Sequence, residues 1–299
     1  MQLYCPLERN TYMPASPRIP SITQKQVAAF LSPRPRDSHK GKFGTAAVIG
    51  GAHGMVGASL LAGRAALKLG AGTVHVGILA DHALSADVCQ PELMIHSAQA
   101  VLQLPKMDVL AIGCGMGHDE PAQKILQDAL HLNTTLVIDA DALNILSRRP
   151  DLRTLLISRK AACVITPHPG EAARLLGCTT DEVQATRSES AQELSKRFQS
   201  AVVLKGAQSL CVTRNCTIYV NRTGNPGMSS AGMGDVLTGM IAALIAQGLN
   251  VDQAVLFAVH LHGAAGDAMA KQKLTIGMTA SEVTEWARRL LNQWIKPHY

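Results

Sequence analysis

Aromatic side chains are nearly missing from this chain: Phe, Tyr and Trp make up 3% of its 299 residues, while 47% are apolar. The core must therefore be built from Ala, Val, Leu, Ile, Met and Gly, a palette that suits helices packed closely on a parallel sheet. The same scarcity leaves little for stacking on nucleic-acid bases. Net charge is +6, but Lys and Arg are dispersed, and the densest basic stretch, Arg34 to Lys42, has no aromatic within it. Nucleic-acid binding is not expected. A mild positive bias fits a small polyanionic substrate equally well. Long hydrophobic runs are absent too. Val236 to Leu249 is the longest, and it is short for a bilayer and broken by glycine, so no membrane partner is expected. Seven cysteines, an odd number, include no C-x-x-C pair. Neither a disulfide framework nor a zinc site is indicated, and a cytoplasmic setting fits. Met1 to Pro20 carries four prolines and no apolar signal-peptide core. No G-x-x-x-x-G-K-[ST] occurs, so a P-loop is excluded. The glycines Gly51-x-x-Gly54-x-x-Gly57 lack the G-x-G-x-x-G spacing of a dinucleotide-fold dehydrogenase.

What is present is an alternation. Residues 1–40 read as an irregular N-terminal arm with one helix-like piece, Thr23 to Leu31, and residues 41–299 as one domain. Short apolar runs predict strands at Thr45–Ile49, Thr73–Leu79, Val109–Ile112, Leu136–Ile138, Cys163–Ile165 and Ala201–Leu204. Helical periodicity lies between them, at Val56–Leu69, Pro121–Leu130, Ala142–Ser147, Gly170–Leu176 and Arg187–Phe198. Ser209–Thr213 and Thr217–Asn221 read as an edge hairpin, and helices follow at Val236–Gln247, Asp252–Ala270 and Ser281–Ile295. The rhythm predicts an α/β fold, a three-layer αβα sandwich around a mostly parallel central sheet. Ligands of such sheets bind beyond the carboxyl ends of the strands. Glycine and proline clusters fall there five times: Gly50–Gly54, Gly113–Gly117, Thr166–Gly170, Lys205–Ala207 and Gly232–Asp235.

The last cluster carries the most chemistry. Gly232 and Gly234 put no side chain between their amides and a ligand, and they can take φ values closed to other residues. The apolar helix that follows leaves its first N–H groups unpaired, which makes an anion site suited to a phosphoryl group. Asp235 at that helix start is expected to stay ionised and to act as base toward a substrate hydroxyl. A simple cap is the alternative, but it needs neither two glycines nor a run of small neighbours. Thr166-Pro167-His168-Pro169-Gly170-Glu171 presents an imidazole rigidly between prolines, as a substrate-orienting residue requires; a plain strand-to-helix turn would look the same. Lys205 ends a buried strand where it could neutralise a nucleotide phosphate. Asp139 and Asp141 could assist Mg²⁺ through water, or Asp141 could cap the next helix. His260 and His262, two apart on a helix, read as core or surface residues and not as ligands.

Taken together, His39-Lys40-Gly41-x-x-Gly44-Thr45, Gly57-Ala58, Leu61–Ala66, Asp139–Asn144, Thr166–Glu171, Val203–Gly206, Thr223–Gly227, Ala231–Gly239 and His262-Gly263 resemble the ADP-dependent NAD(P)H-hydrate dehydratases. The likeness is to the single-domain form with a ribokinase-like fold, and it runs from residue 38 to about 290. It implies dehydration of the S form of NADH hydrate or NADPH hydrate, with ADP as co-substrate, Mg²⁺ as cofactor, and AMP and phosphate released. It implies Asp235 as catalytic base and Ala46 or Ala47, Gly115, His168 and Asp235 as substrate contacts. Lys205, Gly206, Ala207, Gln208, Ser209, Gly232 and Gly234 would contact the nucleotide, with no residue assigned as a metal ligand. Met233 departs from the small or hydroxyl residue of many relatives, and its side chain is expected to point away from the phosphate. A homotetramer is the family's usual state. The epimerase domain fused to many relatives would not fit in about forty residues, so a separate epimerase is expected upstream. The rival within the fold is a kinase for a vitamin-precursor alcohol of the hydroxyethylthiazole or hydroxymethylpyrimidine type. A rival of another class is a non-catalytic nucleotide sensor, which would have no need of Asp235.

Overall fold

The computed structural model describes residues 19–81 and 85–295; the first 18 residues of the arm, with Cys5, lie outside them. Helix α1 (Gln24–Ala28) and a 3-10 turn (Lys40–Phe43) precede strand β1 (Thr45–Gly50). Helix α2 (Val56–Lys68), β2 (Thr73–Ile78), β3 (Met94–Ser97) and α3 (Ala98–Leu102) follow. Next come β4 (Val109–Ile112), α4 (Glu120–His131), β5 (Thr135–Ile138), α5 (Ala140–Arg148) and α6 (Pro150–Ile157). Then β6 (Cys163–Ile165), α7 (Pro169–Leu176), α8 (Thr180–Ala185), α9 (Arg187–Phe198) and β7 (Ala201–Leu204) lead to the hairpin β8 (Leu210–Val212) and β9 (Ile218–Val220). Three helices close the fold: α10 (Met233–Ala246), α11 (Val251–Lys271) and α12 (Ala280–Trp294).

The strands form one sheet in the order β3-β2-β1-β4-β5-β6-β7-β8-β9. Pairing is parallel from β3 to β7 and antiparallel from β7 to β9. Alternate strand residues face two separate apolar layers. Ala46, Val48, Val74 and Val76 pack against α2, α10, α11 and α12, while Ala47, Ile49, Leu110 and Ile112 pack against the layer of α3 to α9. The expected αβα sandwich is therefore observed, with β7 and β4 buried along their whole length. The arm extends the sheet: Ser21 bridges Val220 in parallel, and Ile22 donates to the Val220 carbonyl at 3.0 Å.

Four elements escape the periodicity: β3, α3, α6 and α8. β3 is a four-residue edge strand with both ends exposed, and α8 buries only Val183, so neither carries an alternation to read. The chain reverses its order across the sheet between β1 and β4, which flank the switch point where α/β folds open a ligand crevice. The loops beyond these two strands are bonded together, Gly51 N to Cys114 O at 3.0 Å and Ala52 N to Gly115 O at 2.6 Å.

Candidate active site

Helix α10 begins over the carboxyl end of this sheet. Its first residues, Met233, Gly234 and Asp235, are preceded by Gly232 at φ +86°, and no side chain caps the turn. A left-handed φ at that position strains any residue with a Cβ, and here the Cβ would also stand 2.6 Å from Leu61 Cδ1. Met233 turns its side chain into the core beneath, as expected. The leading amides of the first turn thus have no side-chain cap among the described residues. That is the local origin of an anion site.

Asp235 is the third residue of α10 and remains partly exposed. Burial pushes its carboxyl up from 3.8 to about 6. The Cys114 thiol pulls the other way, Asp139 adds to the rise, Lys205 opposes it, and Asp141 adds a little more. The helix terminus does not hold the acid at its ordinary value, because desolvation is the larger effect. A carboxylate near 6 is still ionised at neutral pH and is a stronger base than a solvated aspartate.

Behind Gly234 lies a buried polar cluster. Lys205 Nζ donates to Asp139 Oδ1 at 2.6 Å and stands 3.9 Å from Glu171 Oε2. Asp139 Oδ2 accepts from Thr238 Oγ1 at 2.8 Å. A Cβ on Gly234 would sit 3.3 Å from Lys205 Nζ and 3.6 Å from Asp139 Oδ2, so the ammonium lies directly under the anion turn. Burial raises the Glu171 pKa, and Lys205 opposes that rise. Burial works against the Lys205 charge as well, but Asp139 and Glu171 outweigh it and the lysine pKa is raised.

His168 caps α7 through its ring: Nδ1 accepts from Gly170 N at 3.0 Å and from Glu171 N at 3.4 Å. Glu171 Oε2 reciprocates by accepting from His168 N at 2.7 Å, which completes a capping box. Half of the His168 side chain is exposed. Burial, then Lys205 and Arg174, lower its pKa, so the ring is neutral. Asp139 caps α5, and Asp141 does not. Asp141 instead reaches back to the β4 loop, accepting from Gly117 N at 3.0 Å with His118 Nε2 3.1 Å away.

The β7–β8 loop carries Gly206, Ala207 and Gln208 exposed, with Gln208 at φ +55°. Ser209 Oγ donates to Gly206 O at 3.0 Å, and the Arg187 guanidinium lies against Gly206. Lys205, Gly232, Gly234, Asp235 and His168 are brought together on the rim, with Gly115 in the neighbouring β4 loop. Ala46 and Ala47 are not. Both are fully buried near the start of β1, one in each apolar layer.

Some site residues had no role in the sequence reading. Thr238 lies three residues after Asp235 on one helix face, a spacing that could have shown it. Cys114 sits inside a glycine cluster that masks it. His262, read there as core or surface, has a buried Nε2 with no hydrogen-bond partner among the described residues, and burial together with Lys205 lowers its pKa to about 4. His260 is a core residue that meets Asn221 and Trp294. Among the described residues, no three His, Cys, Asp or Glu side chains gather as a metal cage. The Asp235 and Asp141 carboxylates are hard oxygen donors, which fit a Mg²⁺ ion held mainly by phosphates and water.

Residues 46–289 match the family described as NAD(P)H-hydrate dehydratase. The chain is 42% identical over 267 residues to the ADP-dependent (S)-NAD(P)H-hydrate dehydratase of Neisseria meningitidis, covering 88% of this chain and 90% of that protein. It is 38% identical to the bifunctional NAD(P)H-hydrate repair enzyme of Escherichia coli, covering 92% of this chain but 53% of the relative, so it spans about half of that longer protein. Its fold superposes with a TM-score of 0.82 on the Bacillus subtilis ADP/ATP-dependent NAD(P)H-hydrate dehydratase co-crystallised with ATP/Mg²⁺, at 30% identity and over 93% and 100% of the two chains.

Proposed function

The chain belongs to the NAD(P)H-hydrate dehydratase family, and from that premise we propose that it restores NADH and NADPH from the S form of their hydrates, using ADP and releasing AMP and phosphate. One observation carries the proposal: an uncapped helix turn, Gly232 to Gly234, with a carboxylate of raised pKa on one side and the Lys205 ammonium beneath it.

The residues account for the chemistry. Hydroxide leaves the C6 carbon of the hydrate poorly, so the hydroxyl is phosphorylated first. Asp235 takes the hydroxyl proton as the oxygen attacks the β-phosphoryl group of ADP, and AMP departs. The amides of Gly232 to Gly234 and the Lys205 ammonium receive the charge that develops on the phosphoryl oxygens. The ring-nitrogen lone pair then expels phosphate from C6, and loss of a C5 proton closes the double bond. His168, rigid and neutral, orients the nicotinamide half. Gly115 and the Gly206–Ser209 loop line the two ends of the rim. Mg²⁺, when bound, would neutralise phosphate charge, and Asp235 and Asp141 would hold its water shell. Ala46 and Ala47 support the sheet and have no contact with substrate in this proposal.

Six described cysteines are free, and no described helix is long and apolar enough to cross a membrane. We propose a cytoplasmic enzyme that acts as a homotetramer on hydrates supplied by an epimerase. The test is to incubate the protein with hydrated NADH or NADPH and with ADP or ATP in parallel, and to follow the reduced-nicotinamide absorbance. Recovery with ADP is expected. A stable phosphorylated hydrate, or no recovery with either nucleotide, would favour a kinase of the same fold.

A further inference from the structure

Asp139 has its oxygens turned entirely inward. Oδ1 accepts from Lys205 Nζ at 2.6 Å and from the Ala140 amide at 2.8 Å, and Oδ2 accepts from Thr238 Oγ1 at 2.8 Å. Its side chain is 1% exposed. Three of its roughly four acceptor sites are taken and the side chain is sealed from solvent, so a direct role at Mg²⁺ does not fit. What it joins is more telling. Lys205 directly follows β7, Thr238 lies about one helical turn beyond Asp235 on α10, and Asp139 caps α5, so three elements meet at one carboxyl group. The next residue, Ala140, is held at φ +51°, a conformation that a residue with a Cβ adopts only when its surroundings enforce it.

We propose that Asp139 is a positioning residue for the phosphoryl transfer: it fixes the Lys205 ammonium beneath Gly234 and ties it, through Thr238, to the helix that carries Asp235. The proposal rests on the reading that a phosphoryl group lies in the Gly232–Gly234 turn. Lys205 has three N–H donors. One is spent on Asp139, and Glu171 at 3.9 Å attracts the ammonium without a hydrogen bond, so donors remain for the phosphate. Without Asp139 the nearest anion is Glu171, and the ammonium would lean toward α7 and away from the turn. Asp139 thus sets where the positive charge stands relative to the base.

The test is a double-mutant cycle of Asp139→Asn, Lys205→Gln and the pair, read as kcat with hydrated NADH and ADP across pH, as ADP affinity by calorimetry, and as melting temperature. Asn keeps one acceptor oxygen for the Ala140 amide and turns an NH₂ toward Thr238 Oγ1, which can accept it, but it carries no charge to hold an ammonium. Asp139→Asn is expected to lower kcat roughly a hundredfold, the scale of a misplacement of about 1 Å. The double variant should be no slower than Lys205→Gln alone, because the carboxylate acts through the lysine. The acid limb of the pH profile should also move to lower pH. Asp235 faces Asp139, Asp141, Lys205 and Cys114; the substitution removes a negative neighbour that raises its pKa. Lys205 in turn faces Glu171, His168 and His262, and none of these is altered. Multiplying losses in the double variant, or a lowered melting point with wild-type kcat and pH profile, would overturn the proposal. If Asp139→Asn does not fold, Thr238→Val keeps both charges and removes the tether to α10; wild-type kcat there would overturn it equally. A wild-type protein that restores no NADH marks failure of the functional reading instead, and the cycle is then decided on ADP affinity alone.

Discussion

A methyl group on Gly239 of α10 would stand 2.0 Å from the carbonyl oxygen of Ala62 on α2, so the two helices touch backbone to backbone at that point. A backbone contact cannot yield by a rotamer change. Gly239→Ala is therefore expected to push α10 off α2 at a cost of about 3 kcal/mol, the upper range for overpacking. The helix carries the anion turn at its N-terminal end, less than two turns from Gly239, so kcat should fall together with stability. A denaturant titration and a turnover assay on the same preparation check this; wild-type stability would show that the helices can separate freely.

Removing the base should separate binding from chemistry. Asp235→Asn keeps the shape of the turn and its amides but cannot take a proton. Turnover is expected to drop roughly hundredfold to ten-thousandfold, the usual weight of a general base, while ADP binds with little change in calorimetry. Undiminished turnover would remove Asp235 from the mechanism.

The same residue makes a signed prediction for stability. Its carboxyl titrates near 6 in the folded protein against 3.8 in the unfolded one. Between those values the folded chain holds the proton more firmly, so the contribution of Asp235 to stability is present below about 4 and is lost as pH rises through 6. Asp235→Asn should accordingly raise the melting temperature at pH 7 to 8, and the gain should vanish near pH 4. A variant destabilised at every pH would contradict the burial that raises this pKa.

Sequence made some of this architecture legible and hid the rest for physical reasons. Val109–Ile112, Cys163–Ile165 and Ala201–Leu204 were readable to the residue, because strands buried on both faces are unbroken apolar runs bounded by polar or glycine residues. Edge strand β3, ending in His96 and Ser97, has no such run. Within the site, the Gly232–Asp235 turn is local and announces itself. The cluster behind it does not: Asp139 lies 66 residues from Lys205 and 99 from Thr238, and only the fold brings them into contact. Ala46 and Ala47 came from resemblance alone. Their place in the interior of β1, four and three residues before its end at Gly50, already set them apart from a rim site.

His168 combines two roles that substitution can divide. Its Nδ1 caps α7, so the proton of the neutral ring sits on Nε2, on the half-exposed side. His168→Ala loses the cap and should cost about 1 kcal/mol. His168→Asn restores a capping oxygen, since asparagine is among the best N-cap residues, but it supplies no ring. If the imidazole orients the hydrate, the Asn variant should melt like wild type yet lose kcat/KM for the hydrate as severely as the Ala variant, with ADP affinity unchanged in both. Thermal melts and hydrate kinetics on the two proteins decide it. Full activity in the Asn variant would assign His168 to the helix end and leave the nicotinamide half to be oriented from the β4 loop at Gly115.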